Sequence, residues 1–314
     1  MKPRYLEAMR TEVLEKAIAT SRELLNSCRL CPRQCGVDRL MDERGHCRTG
    51  RLAEVASYGP HFGEESVLVG SHGSGTIFFC GCNLLCTFCQ NYEISRVTDP
   101  DCRAVDDRQL AAIMVELQEA GCHNINFVTP SHVVPQILAA LPHAIRAGLR
   151  VPLVYNCGGY ERVESLRLLD GIVDIYMPDA KFWERESGRR YARAPDYPAV
   201  MRAALVEMQR QVGDLRMNEK GLAERGLLVR HLLMPDGLAE AAAIFQFLAE
   251  EISPGCYVNI MDQYRPCGKA ALPGDGGTIS RAMMNEAVRA AKKAGLSRFD
   301  QRDMPSLIRR LMSQ

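Results

Sequence analysis

The chain has 314 residues, 46% of them hydrophobic and 25% charged, which is the balance of an ordinary globular protein. Its 39 Lys and Arg against 38 Asp and Glu leave no basic field that would indicate nucleic-acid binding. No apolar run approaches the roughly 20 residues of a membrane helix, and the charged N-terminus lacks a signal-peptide core. We therefore expect a cytoplasmic protein without nucleic-acid or membrane partners, whose 13 cysteines serve metal sites rather than disulfides.

The N-terminal part combines a helix with a cysteine-rich segment. Apolar side chains at helical spacing over residues 4–27 predict an amphipathic helix that docks on the main domain. Four cysteines follow within twenty residues, at a spacing that can close one metal site: Cys28, Cys31, Cys35 and Cys47. Such a set suits structural zinc or a fully ligated iron–sulfur cluster, and His46 could replace one thiolate; metal-free thiols are the third interpretation.

A second cysteine motif follows an apolar run, with the spacing Cys82-x3-Cys86-x2-Cys89 and Phe88 before the last cysteine. A 4Fe–4S cluster ordinarily takes four thiolates, so three leave one iron without a protein ligand. An open coordination position is typical of a metal that does chemistry. The competing interpretations are a zinc knuckle and three unconnected buried cysteines.

From residue 76 the chain alternates short apolar runs with helical stretches, as in a parallel α/β fold. The predicted strands are 76–80, 124–129, 151–156, 172–177, 227–233 and 256–261. The predicted helices are 106–120, 132–147, 161–170, 186–212, 237–252 and 280–294. Two short strands are also expected within 51–60 and 66–70, and linkers at 48–60 and 265–278. Six β/α units predict a fully or partly closed barrel over residues 61–314, with a C-terminal helical extension, after a metal-binding appendage over 1–60.

Polar residues follow the predicted strands, and in parallel sheets the carboxyl ends of the strands share one edge, where active residues gather. Asn156 ends the third predicted strand, Met177-Pro178-Asp179-Ala180-Lys181 begins at the end of the fourth, and Arg230 lies in the fifth. We expect these side chains to face the three-cysteine loop. The sequence identifies binding residues there but no side chain with a catalytic role.

The three-cysteine motif with Phe88 resembles the signature of the radical S-adenosylmethionine (SAM) superfamily. That resemblance implies a 4Fe–4S cluster on Cys82, Cys86 and Cys89, with the amino and carboxylate groups of SAM on the open iron. A bound SAM needs an anion partner, ribose hydroxyl partners and an adenine-stacking surface. The chain offers these types of side chain in Arg230, in Asn156 or Asp179, and in Phe88.

Over about residues 28–270 the chain further resembles radical SAM proteins related to pyruvate formate-lyase-activating enzyme. The resemblance is carried by the motifs Cys31-Pro32-Arg33-Gln34-Cys35-Gly36, Gly73-Ser74-Gly75-Thr76-Ile77-Phe78-Phe79, Gln90-Asn91-Tyr92 and Gln263-Tyr264-Arg265-Pro266. It implies a partial (β/α)6 barrel open on one side. Met177, Asp179 and Lys181 match a pattern that in the family helps to hold SAM and a monovalent cation, and Arg230 matches a fifth-strand arginine.

Two turns depart from the activating enzymes. Tyr155-Asn156-Cys157-Gly158 replaces an Asp-Thr-Asn-Gly turn, and Thr129-Pro130-Ser131-His132 replaces a Gly-Gly-Glu-Pro turn. The extra cysteines also precede the core, whereas the cluster insert of many glycyl-radical activases follows it. These departures weigh against a glycyl-radical activase proper.

The resemblance implies an enzyme in which a reduced cluster, supplied by a donor such as flavodoxin or ferredoxin, splits SAM into methionine and a 5′-deoxyadenosyl radical. That radical would take hydrogen from a glycine of a partner protein, or from a small molecule or peptide. The rivals are a non-catalytic iron–sulfur carrier or scaffold, and a zinc-stabilised adaptor. Metal analysis separates zinc from iron, and SAM binding separates an enzyme from a carrier.

Overall fold

A computed structural model describes residues 1–98, 100–265 and 277–300 of the chain. Most of the predicted linker 265–278 lies outside these ranges. The strands, in chain order, are β1 Ala53–His61, β2 Ser74–Phe79, β3 Arg103–Val105, β4 Ile125–Val128, β5 Leu153–Cys157, β6 Ile175–Pro178, β7 Arg216–Met217, β8 Ala223–Leu232, β9 Tyr257–Met261 and β10 Arg298–Phe299. The helices are α1 Tyr5–Arg10, α2 Val13–Glu23, α3 Ser66–Val69, α4 Tyr92–Ser95, α5 Asp107–Glu119, α6 Val134–Arg146, α7 Val163–Arg167, α8 Arg185–Ala192, α9 Tyr197–Val212, α10 Leu238–Phe247 and α11 Arg281–Lys293.

The strands form one twisted sheet with the order β10-β9-β8-β6-β5-β4-β2-β1-β3. Strands β2, β4, β5, β6, β8 and β9 are the six predicted ones, and they lie side by side in chain order with parallel pairing throughout. Within the described ranges β2 pairs with β4 and with the antiparallel β1, and not with β9, so the sheet stays open. The predicted α/β class and partial (β/α)6 barrel are confirmed.

Helices cover one face of the sheet, and α3 fills the other. On β5, Leu153 and Tyr155 belong to the main core, whereas Val154 packs in a second apolar cluster, because neighbouring residues of a strand point to opposite faces. Val67 and Leu68 of α3 complete this second cluster. The prediction of a strand within 66–70 was therefore wrong: burying these two side chains inside the sheet outweighed their β preference.

Other predicted elements are interrupted where the backbone cannot continue. The helix predicted over 4–27 divides into α1 and α2 at Glu12, which has a positive φ of 60°. The helix predicted over 186–212 divides into α8 and α9, since Arg193 is left-handed (φ 49°) and Pro195 follows it. Helix α5, predicted over 106–120, is N-capped by Asp106, whose carboxylate accepts from the backbone N–H of Gln109 in a capping box. The predicted linker 48–60 is mostly β1, paired with β2.

The N-terminal helices dock on the sheet's helical layer through polar contacts as well as packing. The guanidinium of Arg4 donates to Val173 O (3.1 Å) and to the Asp170 carboxylate (3.1 Å), and the Tyr5 hydroxyl donates to Val151 O (2.9 Å). The expectation that the cysteines serve metal sites rather than disulfides fails for two of them, because Cys80 and Cys102 form a disulfide. No helix in the described ranges combines the length and hydropathy that crossing a membrane requires.

Candidate functional site

A cavity of about 430 Å3 lies at the carboxyl edge of the sheet. The loop after β2 and the ends of β5, β6 and β8 all contribute to its wall. The predicted residues that line it are Cys82, Cys86, Phe88, Cys89, Asn156, Asp179, Lys181 and Arg230. The shared edge of the parallel strands thus brings together residues up to 148 positions apart, Cys82 and Arg230, as the strand order requires.

The three-cysteine loop presents two half-buried thiols, Cys82 and Cys89, and one buried thiol, Cys86. Leu85 has a positive φ of 55°, which turns the chain between the first two cysteines, and the Leu84 N–H donates to the Cys82 sulfur at 3.3 Å. Burial raises the pKa of Cys82 to about 11 and that of Cys86 to about 12. Both thiols are therefore protonated at neutral pH, and binding a metal must release their protons.

A buried charge network faces this loop. The Arg230 side chain donates from Nε to Asp179 Oδ1 (2.8 Å) and from Nη2 to Asn156 Oδ1 (2.6 Å), and Lys181 Nζ donates to Asp179 Oδ2 (2.5 Å). Burial acts to raise the pKa of Asp179, but Arg230 and Lys181 outweigh it and hold that pKa below its ordinary value. The carboxylate consequently stays ionised, and the two cations keep their charge.

Two neighbouring features fix the backbone that carries Asp179. The Tyr197 hydroxyl accepts from Lys181 N–H (3.0 Å) and lies 2.8 Å from Asp179 O and 2.9 Å from Gly158 O, to which it can donate. Gly159, with a φ of +74°, approaches so closely that a Cβ there would lie 2.1 Å from Asp179 O. The turn after β5 and the turn after β6 are thus locked together.

Sequence reasoning missed Glu64, whose carboxylate lies 3.9 Å from Arg230 Nη1 and 3.3 Å from His61 Nδ1, with only 8% of its side chain exposed. Glu64 precedes α3, in a segment that the sequence assigned to a turn and a short strand. Because α3 enters the interior of the sheet, this segment reaches the cavity, and Glu64 and His61 form part of its wall. The acidic pair Glu64-Glu65, directly before an apolar run, was the sequence signal that could have indicated a functional segment, and Glu65 is indeed buried.

Two predicted residues take positions other than an open binding surface. Met177 is fully buried in the apolar cluster of α3 and does not line the cavity. Phe88 borders the cavity, but its ring also packs against Phe182, Tyr191 and Tyr264, with centroids 5.8 to 6.1 Å apart. Its packing therefore holds the cysteine loop against α8 as well.

The four N-terminal cysteines come together around one small cavity of their own. Cys28, Cys31 and Cys47 are buried and Cys35 is exposed. The backbone N–H of His46 donates to the Cys35 sulfur at 3.4 Å, which joins the part of the segment that carries Cys47 to the part that carries Cys35. The imidazole of His46 borders the same cavity, and burial lowers its pKa.

The candidate site thus combines three features: an open parallel sheet, a three-thiol loop at its carboxyl edge, and a buried charge network facing that loop. No protein-family model matches the chain. It is 32% identical over 292 residues to uncharacterized protein MJ0674 of Methanocaldococcus jannaschii, a match that covers 91% of this chain and 79% of that protein. The chain belongs to the family of that archaeal protein.

Three solved structures are similar to the chain at low identity. A radical SAM methyltransferase from Sphaerobacter thermophilus has a TM-score of 0.49 and 16% identity over 72% of this chain. HydG, a maturase of the FeFe-hydrogenase, gives 0.49 and 14% over 74%, and methylornithine synthase (PylB) gives 0.47 and 12% over 73%. The chain spans 66%, 52% and 65% of the lengths of those solved chains.

Proposed function

We propose that this protein is a radical SAM enzyme whose cluster and SAM occupy the cavity at the carboxyl edge of the sheet. The observation that carries the proposal is the meeting of the three-thiol loop with the Asp179–Arg230 network in one cavity. A carrier that only stores electrons needs the thiolates alone, whereas a buried set of cations and acceptors beside them suits an organic ligand with charged groups.

The donor set fits a cluster with one open iron. Cys82, Cys86 and Cys89 supply three thiolates from a single loop. Cys157 also borders the cavity, but its thiol is hydrogen-bonded to the buried carboxyl group of Glu161. When bound and reduced, the cluster supplies an electron that splits SAM into methionine and a 5′-deoxyadenosyl radical, the chemistry that the resemblance implies.

The charge network fits the polar groups of SAM. Arg230 Nη1 lies 3.9 Å from Glu64, too far for a hydrogen bond, so this donor stays available to an anionic group such as a carboxylate. Asn156 and Asp179 place amide and carboxylate oxygens on the same wall, where they can accept from ribose hydroxyls or an ammonium group. Phe88 offers an apolar ring beside the loop. The chain's own part is thus to bind, orient and exclude water.

Electron paramagnetic resonance of the reduced cluster tests this assignment. Adding SAM should change the spectrum, because SAM binds the iron that lacks a thiolate, and the change should be absent from the Cys82→Ala, Cys86→Ala, Cys89→Ala triple variant. A reducible cluster whose spectrum does not change when SAM is added would instead support the iron–sulfur carrier. Stoichiometric zinc in place of iron would support the zinc-stabilised adaptor.

The hydrogen donor defines the finer function, and the two altered turns favour a small molecule or peptide over the glycine of a partner protein. Asn156 and Thr129 stand in those turns and line the cavity, so the departures from the activating enzymes face the site itself. Deuterium transfer into 5′-deoxyadenosine from a labelled candidate tests each donor. A stable glycyl radical on a co-purified partner would overturn this preference in favour of an activating enzyme.

A further inference from the structure

The four N-terminal cysteines have no role in the proposed reaction, although the fold brings them together around one cavity. The backbone of Cys28 exchanges two hydrogen bonds across the cysteine turn, from its N–H to Val37 O (2.9 Å) and to its carbonyl from Gly36 N–H (3.0 Å). The second part of the segment returns Cys47 to the same cavity. Three buried thiols and one exposed thiol therefore surround a common space.

This segment is fastened to the three-cysteine loop at two points. Arg33, between Cys31 and Cys35, donates from Nε to Asn83 O (3.0 Å) and from Nη2 to Leu84 O (3.5 Å), both inside the loop. The same guanidinium donates to Ala192 O (2.9 Å) at the end of α8 and lies over the Tyr160 ring. An arginine that joins its own segment to the three-cysteine loop and to the end of α8 fixes the two cysteine sets relative to each other.

The second contact lies directly beside the first thiol of the loop. A Cβ at Gly81, which has a φ of +88°, would lie 2.5 Å from Cys47 O and 2.8 Å from Thr49 Oγ1. Glycine is therefore required where the backbone of Cys47 passes the residue before Cys82. The two cysteine sets are in backbone contact, which no separate structural zinc segment would need.

The arrangement of the sulfurs favours a cluster over a single ion. In the part of the chain that the structure describes, no three His, Cys, Asp or Glu side chains are arranged to hold one metal ion. Tetrahedral zinc needs all four ligands about 2 Å from one centre. In a 4Fe–4S cluster each thiolate binds a different iron, so the sulfurs stand further apart.

We propose that Cys28, Cys31, Cys35 and Cys47 hold a second, fully ligated 4Fe–4S cluster that passes electrons to the cluster of the three-cysteine loop. A reduced flavodoxin- or ferredoxin-class protein gives one electron to the second cluster, and the donor is oxidised by one electron. That electron then reduces the loop cluster, with no bond formed or broken and no proton moved. Exposed Cys35 marks the face for the donor. The relay step, though not the second cluster itself, rests on the proposed function.

Iron analysis after anaerobic reconstitution tests the second cluster without any need for SAM cleavage. We expect about eight irons per chain in the wild type and about four in the Cys82→Ala, Cys86→Ala, Cys89→Ala triple variant, since each cluster holds four. A matched control, Cys122→Ala with Cys256→Ala, removes two buried thiols outside both sets and should keep the wild-type iron. If the triple variant contains no iron, or contains zinc instead, the proposal of a second cluster is overturned.

Reduction kinetics test the relay. A variant with all four N-terminal cysteines replaced by Ala should keep the loop cluster but lose the fast phase of its reduction by the protein donor. An unchanged fast phase would overturn the relay. If that variant fails to fold, Arg33→Gln keeps all seven thiols and should slow the same phase, because it releases the loop from the N-terminal segment. Failure of SAM cleavage, with eight irons present, would count against the proposed function and not against the second cluster.

Discussion

Glu161 gives the sharpest stability prediction, because its carboxyl group is buried and forms no ion pair within the described ranges. It is 3% exposed and accepts hydrogen bonds from Ser131 Oγ (2.5 Å) and from the Tyr155 hydroxyl (3.0 Å). Burial raises its pKa from 4.5 to about 7, against the opposing effect of these hydrogen bonds. The folded protein therefore holds a proton here that the unfolded chain releases at lower pH.

The sign and size of the effect follow from this difference. Below pH 4.5 both states are protonated, and the folded state has its full stability from this group. As the pH rises toward about 7, the unfolded chain loses its proton first, so the folded state becomes less stable. A shift from 4.5 to about 7 corresponds to a loss of about 3 kcal/mol in the free energy of unfolding.

Glu161→Gln removes the titrating group while keeping its shape, so the variant should lack this loss of about 3 kcal/mol. Urea unfolding at the two ends of the pH window measures it, with other buried carboxyl groups common to both proteins. The matched control is Glu164→Gln, whose side chain is 61% exposed and should leave the wild-type pH dependence intact. A Glu161→Gln variant with the wild-type pH dependence would show that Glu161 does not cause this loss of stability.

Three further predictions test the residues at and around the cavity. Arg230→Gln and Asp179→Asn should each weaken SAM binding about tenfold to a hundredfold while the cluster absorbance stays, since a charge-assisted hydrogen bond contributes about 1.5–3 kcal/mol; wild-type affinity in a SAM titration would contradict this. Gly159→Ala should lower the thermal midpoint much more than Gly148→Ala: both have positive φ, but only Gly159 meets backbone, at 2.1 Å, and equal midpoints would disprove the clash. Tyr197→Phe should cost about 1–3 kcal/mol in urea unfolding by stripping buried backbone groups, and an unchanged midpoint would count against that role.

The sequence predicted which residues meet at this cavity because parallel strands align their carboxyl ends. Asn156, Asp179 and Arg230 could be predicted from strand order alone, and the structure joins them through hydrogen bonds of 2.6 and 2.8 Å. Glu64 could not, because its position depends on α3 entering the interior of the sheet, a tertiary packing event. Met177 was assigned by family pattern, and in this chain it packs beneath the cavity.

The other misses also depend on contacts that no local pattern encodes. The residue types of 66–70 favour a strand, yet the segment forms α3, because Val67 and Leu68 pack into the apolar cluster inside the sheet. The disulfide joins Cys80 to Cys102, which belong to neither spaced motif. Arg33 lies within the predicted metal-binding segment, but its contacts with the three-cysteine loop depend on how the two segments meet in space.

Product analysis of the reduced, anaerobically reconstituted protein with SAM tests the proposed SAM cleavage. We expect 5′-deoxyadenosine and methionine in equal amounts by liquid chromatography with mass spectrometry, formed slowly without substrate and faster with it. The Cys82→Ala, Cys86→Ala, Cys89→Ala variant should form neither, because these thiolates are the protein's whole contribution to that cluster. An intact, reducible wild-type cluster that yields no 5′-deoxyadenosine would contradict the claim and favour an iron–sulfur carrier.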